Sequence, residues 1–136
     1  MNSILDHVTL SVSDYERSKA FYTQALAPLG IALIREYGKA AGFGKGMKPE
    51  FWISGSVASY QTAEHRMLIT PVHLCFKAAD RAEVAGFHRA ALAAGAKDFG
   101  APGLRPEYHL GYYGAFVLDP DGHNIEAAIH EPSPKT

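Results

Sequence analysis

Two histidines and two glutamates are the residues of this sequence best suited to chemistry. His7 and His73 each begin an apolar segment, and Glu50 and Glu126 lie in two others. A charged carboxylate within an apolar strand costs several kcal/mol unless something pairs with it, and a divalent cation is one efficient partner. Imidazole and carboxylate ligands together suit Zn, Ni, Co, Fe or Mn, so the residue types do not choose among these metals.

Strand alternation predicts which of these side chains share a face. Between His7 and Val12, polar and apolar residues alternate, which is typical of a strand with one polar face that includes His7. The same alternation puts His73, Glu50 and Glu126 on the polar faces of their own segments. We therefore predict one divalent metal ion with His7, His73 and Glu126 as ligands and Glu50 as a candidate fourth.

Each of these residues also has a purely structural interpretation. A single strand histidine is more often a hydrogen-bonded core residue than a ligand, and Glu50 follows Pro49 near a strand end, where water could solvate it. Cys75, between Leu74 and Phe76, is predicted to be a small buried residue rather than part of a cavity. The metal hypothesis therefore depends on the set and not on any one member.

The chain contains an internal repeat, which supports the proposed set of metal ligands. Four residues recur at an offset of 66 positions: His7 with His73, Asp14 with Asp80, Phe21 with Phe87, and Leu26 with Leu92. Asp14 and Asp80 are predicted to cap helices, and Gly30 and Gly95 to end the helical stretches in left-handed conformation. Each copy then reads as strand, helix and three further strands.

The predicted elements are as follows. In the first copy we expect strands within 4–12, 31–37 and 50–54, a short strand among the glycines at 38–46, and a helix from Asp14. In the second we expect strands at 71–77, 97–99, 112–118 and 123–130, a helix over 80–94, and a hairpin turn at 119–122. This predicts an α+β fold of two tandem βαβββ modules, about residues 4–55 and 70–130, joined by a connecting loop in one domain spanning 1–136.

The composition limits the possible partners. The 13 Lys and Arg residues nearly balance the 14 Asp and Glu residues, so no electrostatic footprint for nucleic acid or an anionic membrane is expected. No signal peptide and no apolar run of roughly 20 residues is recognisable. The single cysteine cannot form an internal disulfide, which favours a cytoplasmic location.

Two longer motifs carry a family resemblance. Asp6-His7-Val8 followed by Ser18-Lys19-Ala20-Phe21-Tyr22, and the run from Phe116 to Glu126, make the chain similar to the vicinal oxygen chelate superfamily, over about residues 4–130. That superfamily includes glyoxalases, extradiol dioxygenases and bleomycin resistance proteins. The resemblance implies a curled mixed sheet around a metal cavity, often shared across a homodimer, and it assigns His7, His73 and Glu126, with Glu50, as metal ligands.

The resemblance also implies a function. A glyoxalase-like lyase or isomerase would act on a small-molecule substrate with vicinal oxygens, with Glu126 or Glu50 moving the proton. If Glu50 points away, the remaining two histidines and one carboxylate resemble the dioxygenase ligand set; a non-catalytic binding or resistance protein is the third possibility. Candidate substrate contacts are Trp52, Arg105, Tyr108, His109, Tyr112 and Tyr113, although the tyrosines could equally cover sheet and helix edges.

Overall fold

The computed structural model describes residues 4–56, 59–60, 62 and 72–132, and these form two consecutive βαβββ modules. In the first module the elements are β1 (Val8–Ser11), α1 (Tyr15–Ala25), β2 (Ala32–Tyr37), β3 (Ala40–Gly44) and β4 (Phe51–Ser54), with a short 3-10 turn at Ala27–Leu29. In the second they are β5 (His73–Lys77), α2 (Arg81–Ala93), β6 (Lys97–Leu104), β7 (Tyr112–Leu118) and β8 (Asn124–His130). The predicted fold class is confirmed. His65 and most of the connecting loop lie outside the described residues.

Equivalent aspartates begin the two helices. The Asp14 side chain accepts a hydrogen bond from the Arg17 amide at 3.1 Å, and that of Asp80 accepts from the Glu83 amide at 2.8 Å. Each satisfies an amide that the first helical turn leaves without a partner. The repeat seen in the sequence is therefore a repeat of local structure.

Each module forms its own four-stranded mixed sheet. The strand orders are β1-β4-β3-β2 and β5-β8-β7-β6, so the first and last strands of each module pair in parallel. β6 is longer than the predicted 97–99, because two register shifts at Gly100 and Gly103 let it follow β7 beyond Phe99. β1 and β5 are edge strands, and the two sheets stay separate.

The helices cover one face of each sheet and pack against each other. Leu10, Phe43, Phe51 and Ile53 of the first module share a buried cluster with Phe87, Val117 and Ile125 of the second. One hydrophobic core therefore spans both modules. The face of each sheet that is turned away from the helices, which we call the concave face, is left for other contacts. Neither described helix has the length and apolar character needed to cross a membrane.

The hairpin between β7 and β8 fastens the second module to the first. The Asp119 carboxylate is buried and accepts a hydrogen bond from the Tyr22 hydroxyl of α1 at 2.5 Å. His123 is also buried; its Nδ1 accepts from the Val72 amide at 3.1 Å, which leaves Nε2 to donate to the Ser11 carbonyl at 3.2 Å. His123 therefore bridges the two modules.

Candidate functional site

A histidine and a glutamate meet on the concave face of the second sheet. His73 Nε2 lies 2.9 Å from Glu126 Oε1, and the Tyr112 hydroxyl donates a hydrogen bond to Glu126 Oε2. Glu126 is only 1% exposed, whereas the His73 side chain is 53% exposed. A nearly buried carboxylate with both oxygens engaged thus lies beneath a histidine that solvent can reach.

The strand register builds this cluster. In β8, Glu126 lies opposite Cys75 of β5 on one side and opposite Phe116 of β7 on the other. Gly114 makes the Tyr112 contact possible, because a Cβ at that position would lie 3.1 Å from Glu126 Oε2 and 3.2 Å from the Tyr112 ring. A glycine one strand away therefore lets the phenol reach the carboxylate.

The surroundings keep Tyr112 and Cys75 in their neutral forms. Burial, helped by the hydrogen bond to Glu126, raises the pKa of Tyr112, so its hydroxyl stays a donor. Desolvation and the adjacent Glu126 carboxylate raise the pKa of the Cys75 thiol to about 12, although the residue as a whole is exposed. The predicted burial of Cys75 is wrong, because β5 is an edge strand and alternation turns this residue to the concave face.

His7 lies at the start of the first module's edge strand and is oriented by its neighbour. Its Nδ1 is 2.8 Å from an Asp6 carboxylate oxygen, and Lys48 holds the other oxygen at 3.0 Å. Hydrogen bonds from His7 and Lys48 lower the pKa of Asp6. A carboxylate on Nδ1 fixes the proton there and leaves the Nε2 lone pair available. The His7 side chain is 57% exposed.

One chain does not bring His7 to His73 and Glu126. A cleft of about 370 Å³ is lined by residues 5–8 and 74–77, while Ser11 at the other end of β1 lies beside the His123 bridge to Val72. The two edge strands thus run in opposite directions, which places His7 toward the Lys77 end of β5 and His73 at the other end. Among all residues that the structure describes, no three His, Cys, Asp or Glu side chains are grouped to hold a metal ion.

The register gives Trp52 the position that Glu126 has in the second module. Thr9, the repeat partner of Cys75, lies opposite Trp52, just as Cys75 lies opposite Glu126. Glu50 falls two residues earlier, at the position that corresponds to Asn124, and it is exposed. The first module therefore presents an indole where the second presents its buried carboxylate.

The indole of Trp52 lies across Gly42 on the neighbouring strand. A Cβ on Gly42 would be 2.9 Å from two indole carbons and 2.8 Å from the Pro49 Cβ. The indole also stacks on the Tyr37 ring, with centroids 6.0 Å apart and an interplanar angle of 14°. Strand alternation puts Trp52 on the same face as Glu50, two residues earlier, but its contact with Gly42 was not predicted from the sequence.

Replacing Gly42 by Ala is expected to displace the indole. The added methyl group has no room, so the free energy of unfolding should fall by about 1–3 kcal/mol. Trp52 is the chain's only tryptophan, so its emission maximum should shift as well. Urea unfolding followed by fluorescence measures both changes.

Gly103→Ala is the matched control, because its Cβ would come close to the flexible end of Arg105 alone, at 3.0 Å, with the Ala101 carbonyl oxygen at an ordinary 3.9 Å. It should leave both the stability and the emission nearly unchanged. An unshifted spectrum in Gly42→Ala would contradict the indole's position.

The candidate substrate contacts predicted in the second module lie on both faces of its sheet. Tyr108 packs edge-on against Tyr112, and His109 Nε2 lies 2.7 Å from His130 Nδ1, so these residues border the Glu126 cluster. Arg105 covers the ring of Phe116 and donates to the Ala101 carbonyl at 2.7 Å. Tyr113 follows Tyr112 directly in β7 and therefore faces the helix side, where its ring lies 4.5 Å from the Arg81 guanidinium.

Sequence reasoning missed Asp6 and His130. Asp6 had a signal, since it directly precedes His7 and a carboxylate beside a histidine is a common orienting partner. His130 shares the alternating face of Glu126 in β8, but its partner His109 comes from a loop that no pattern could place.

These features define the class of tandem βαβββ proteins, with a histidine at the first strand of each module and a carboxylate on the last strand of the second. The chain belongs to the Glyoxalase/Bleomycin resistance protein/Dioxygenase superfamily, whose family model matches residues 4–127. The resemblance predicted from the sequence is thereby confirmed, and with it a superfamily that binds small-molecule substrates.

Solved structures agree with this assignment. A glyoxalase/bleomycin resistance protein from Albidiferax ferrireducens is 29% identical, with 96% of this chain and 100% of that chain covered and a TM-score of 0.74. TioX from Micromonospora sp. (19% identity, 94% and 99% coverage, TM-score 0.68) and lactoylglutathione lyase from Agrobacterium tumefaciens (21%, 94% and 94%, 0.65) share the fold. No curated protein matches the chain.

Proposed function

We propose that the chain is a metal-dependent enzyme of the lyase or isomerase kind, acting on a small substrate with vicinal oxygens. The observation that carries the proposal is the His73–Glu126 pair, which puts an imidazole and a buried carboxylate side by side on a concave face. A nearly buried carboxylate costs several kcal/mol unless other groups compensate its charge. His73 and Tyr112 do so here, and a divalent cation would do so more strongly.

The spacing of this pair fits a divalent cation. Ligand atoms about 2.1 Å from a metal, at right angles or in a tetrahedron, lie about 3.0–3.4 Å apart. The 2.9 Å between His73 Nε2 and Glu126 Oε1 is close to that range, so a cation could replace the hydrogen bond with little movement. Two protein ligands are fewer than the three that such sites normally have.

His7 of a second copy is the third ligand that this proposal requires. Its Nδ1 is held by Asp6 and its exposed Nε2 is free of a described partner, which suits a ligand for a neighbouring module. In a symmetric homodimer two equivalent sites would form between the copies. Each copy would then give His7 to one site and His73 to the other. The homodimer and the cytoplasmic location remain predictions.

The residues around the pair have separable roles. The cation would polarise the substrate's vicinal oxygens and stabilise negative charge that develops on them. Glu126, displaced from the cation when the substrate binds, is the proposed base that would take the carbon-bound proton on Oε1, while Tyr112 holds Oε2. Glu50, exposed in the first module, is the alternative base.

Oxygen-dependent ring cleavage is the second candidate function. In the first module, Trp52 occupies the position that Glu126 has in the second, so the proposed ligands are two histidines and one glutamate. Non-haem Fe(II) oxygenases use this set of ligands. Oxygen uptake with catechols by the Fe(II)-loaded protein would favour this function. Proton exchange without oxygen uptake would favour the lyase.

Complementation between two variants tests the shared site. His7→Ala and His73→Ala should each purify with almost no Ni, Co, Zn or Fe, because each lacks one ligand in every site. A heterodimer of the two, isolated through two different tags, has one complete and one doubly defective site. It should bind about half the metal of the wild-type dimer.

Elemental analysis and metal titration give the readout. If both single variants retain metal, His7 and His73 are not metal ligands. A heterodimer as empty as its parents would contradict sharing between copies. Circular dichroism on each variant checks that the fold is intact.

A further inference from the structure

The concave face of the first sheet carries a flat aromatic surface beside a cation. Trp52, Tyr37 and Arg35, which we call the aromatic shelf, come from β4 and β2 on either side of β3. Trp52 is half-buried and Tyr37 is 60% exposed. The two rings are stacked within 14° of parallel, so they present closely aligned planes.

Gly42 on β3 makes room for the indole of the shelf. Gly42 lies opposite both Trp52 and Arg35, so these three residues form one cross-strand row. Because Gly42 has no side chain, two indole carbons occupy the space that a Cβ at this position would need. A side chain at this position would displace the indole and disturb its stacking on Tyr37.

Arg35 gives the shelf a positive charge that no carboxylate of the described residues neutralises. Its Nη1 donates to the Tyr37 hydroxyl at 3.2 Å, which keeps the guanidinium at the aromatic rings. Within the described part of the chain Arg35 forms no ion pair. The adjacent carboxylate, Glu36, points to the other face, where the Tyr15 hydroxyl and Lys19 bind it.

We propose that the aromatic shelf binds a planar aromatic anion, with its ring stacked on the Trp52–Tyr37 ring pair and its carboxylate on Arg35. Stacking selects a flat apolar body, and a guanidinium pairs with a carboxylate through two parallel hydrogen bonds. The binding itself needs no metal. That the bound anion belongs to the substrate class rests on the proposed function.

The experiment uses the full-length chain and three probes that separate shape from charge. These are 2-naphthoate, the uncharged 2-naphthamide, and decahydro-2-naphthoate, which keeps the charge but is not planar. Calorimetry measures affinity, and the single indole N–H resonance of Trp52 reports the place of binding. All titrations are made with a chelator present.

Wild-type protein should bind 2-naphthoate about tenfold more tightly than either of the other probes, with a shift of the Trp52 resonance. Trp52→Leu should weaken 2-naphthoate about tenfold, whereas Trp52→Phe, which keeps a ring, should lose less. Arg35→Gln should weaken 2-naphthoate about tenfold and leave 2-naphthamide unchanged. Lys39→Gln, which removes a nearby charge outside the shelf, should change neither.

Three results would overturn the proposal: equal affinity for all three probes, an unshifted Trp52 resonance, or an Arg35→Gln variant that loses both naphthyl probes alike. His73→Ala distinguishes this proposal from the proposed function. If that variant loses metal but still binds 2-naphthoate, both stand. If wild-type protein binds 2-naphthoate but no metal, only the proposed function fails.

Discussion

Replacing Glu126 by Gln is expected to weaken divalent-metal binding on the order of 100-fold or more, about 2.7 kcal/mol, and to abolish turnover. Gln keeps the volume and can still accept a hydrogen bond from the Tyr112 hydroxyl, so the buried site should stay packed. What it loses is the negative charge beside His73 Nε2 and the proposed proton acceptor. Competition with a chromophoric chelator measures the affinity.

Glu50→Gln is the matched control for this prediction. Because Trp52 and not Glu50 corresponds to Glu126 in the register, its metal affinity should stay within about threefold of wild type. An equal loss in both variants would instead support the four-ligand set that the sequence also permitted. Unchanged metal affinity in Glu126→Gln would show that no metal site lies on the concave face of the second sheet.

Replacing Asp119 by Ala is expected to destabilise the protein by about 3 kcal/mol or more. The change leaves the buried Tyr22 hydroxyl and the backbone amides of Asp121 and His123 without their acceptor. Burial and the nearby Asp119 carboxylate raise the pKa of Tyr22, so its hydroxyl remains a proton donor that must find a partner. Urea unfolding gives the free energy directly.

Tyr22→Phe and Asp121→Asn separate the contributions. Tyr22→Phe removes one donor and keeps the ring in the core, so it should cost about 1–2 kcal/mol. Asp121 lies on the exposed side of the hairpin, where it accepts from Ser13, and its replacement should cost less. A loss below about 0.5 kcal/mol in Asp119→Ala would mean that the Asp119 hydrogen bonds contribute little to holding the modules together.

Local pattern was enough to predict the elements of this fold. Alternation identified the strands, and the aspartates at 14 and 80 marked the helix starts where the caps are found. The same alternation could have separated Tyr112 from Tyr113, since consecutive strand residues face opposite sides. These features depend only on neighbours along the chain.

The register of parallel strands could not be predicted in this way. β1 and β4 are joined through a helix and two strands, so no short turn fixes which residue of one lies opposite which residue of the other. The two-residue difference between Glu50 and Trp52 therefore stayed hidden. The separation of His7 from His73 likewise depends on how whole modules pack, through contacts such as Tyr22 with Asp119.

The unequal pair formed by Trp52 and Glu126 has an evolutionary consequence. The two βαβββ modules carry different side chains at equivalent positions, so a change in one does not alter the other. Substitutions at positions 35, 37 and 52 could therefore redirect ligand recognition without touching His73 and Glu126. Such a scaffold would diversify its ligand repertoire by changing half of itself.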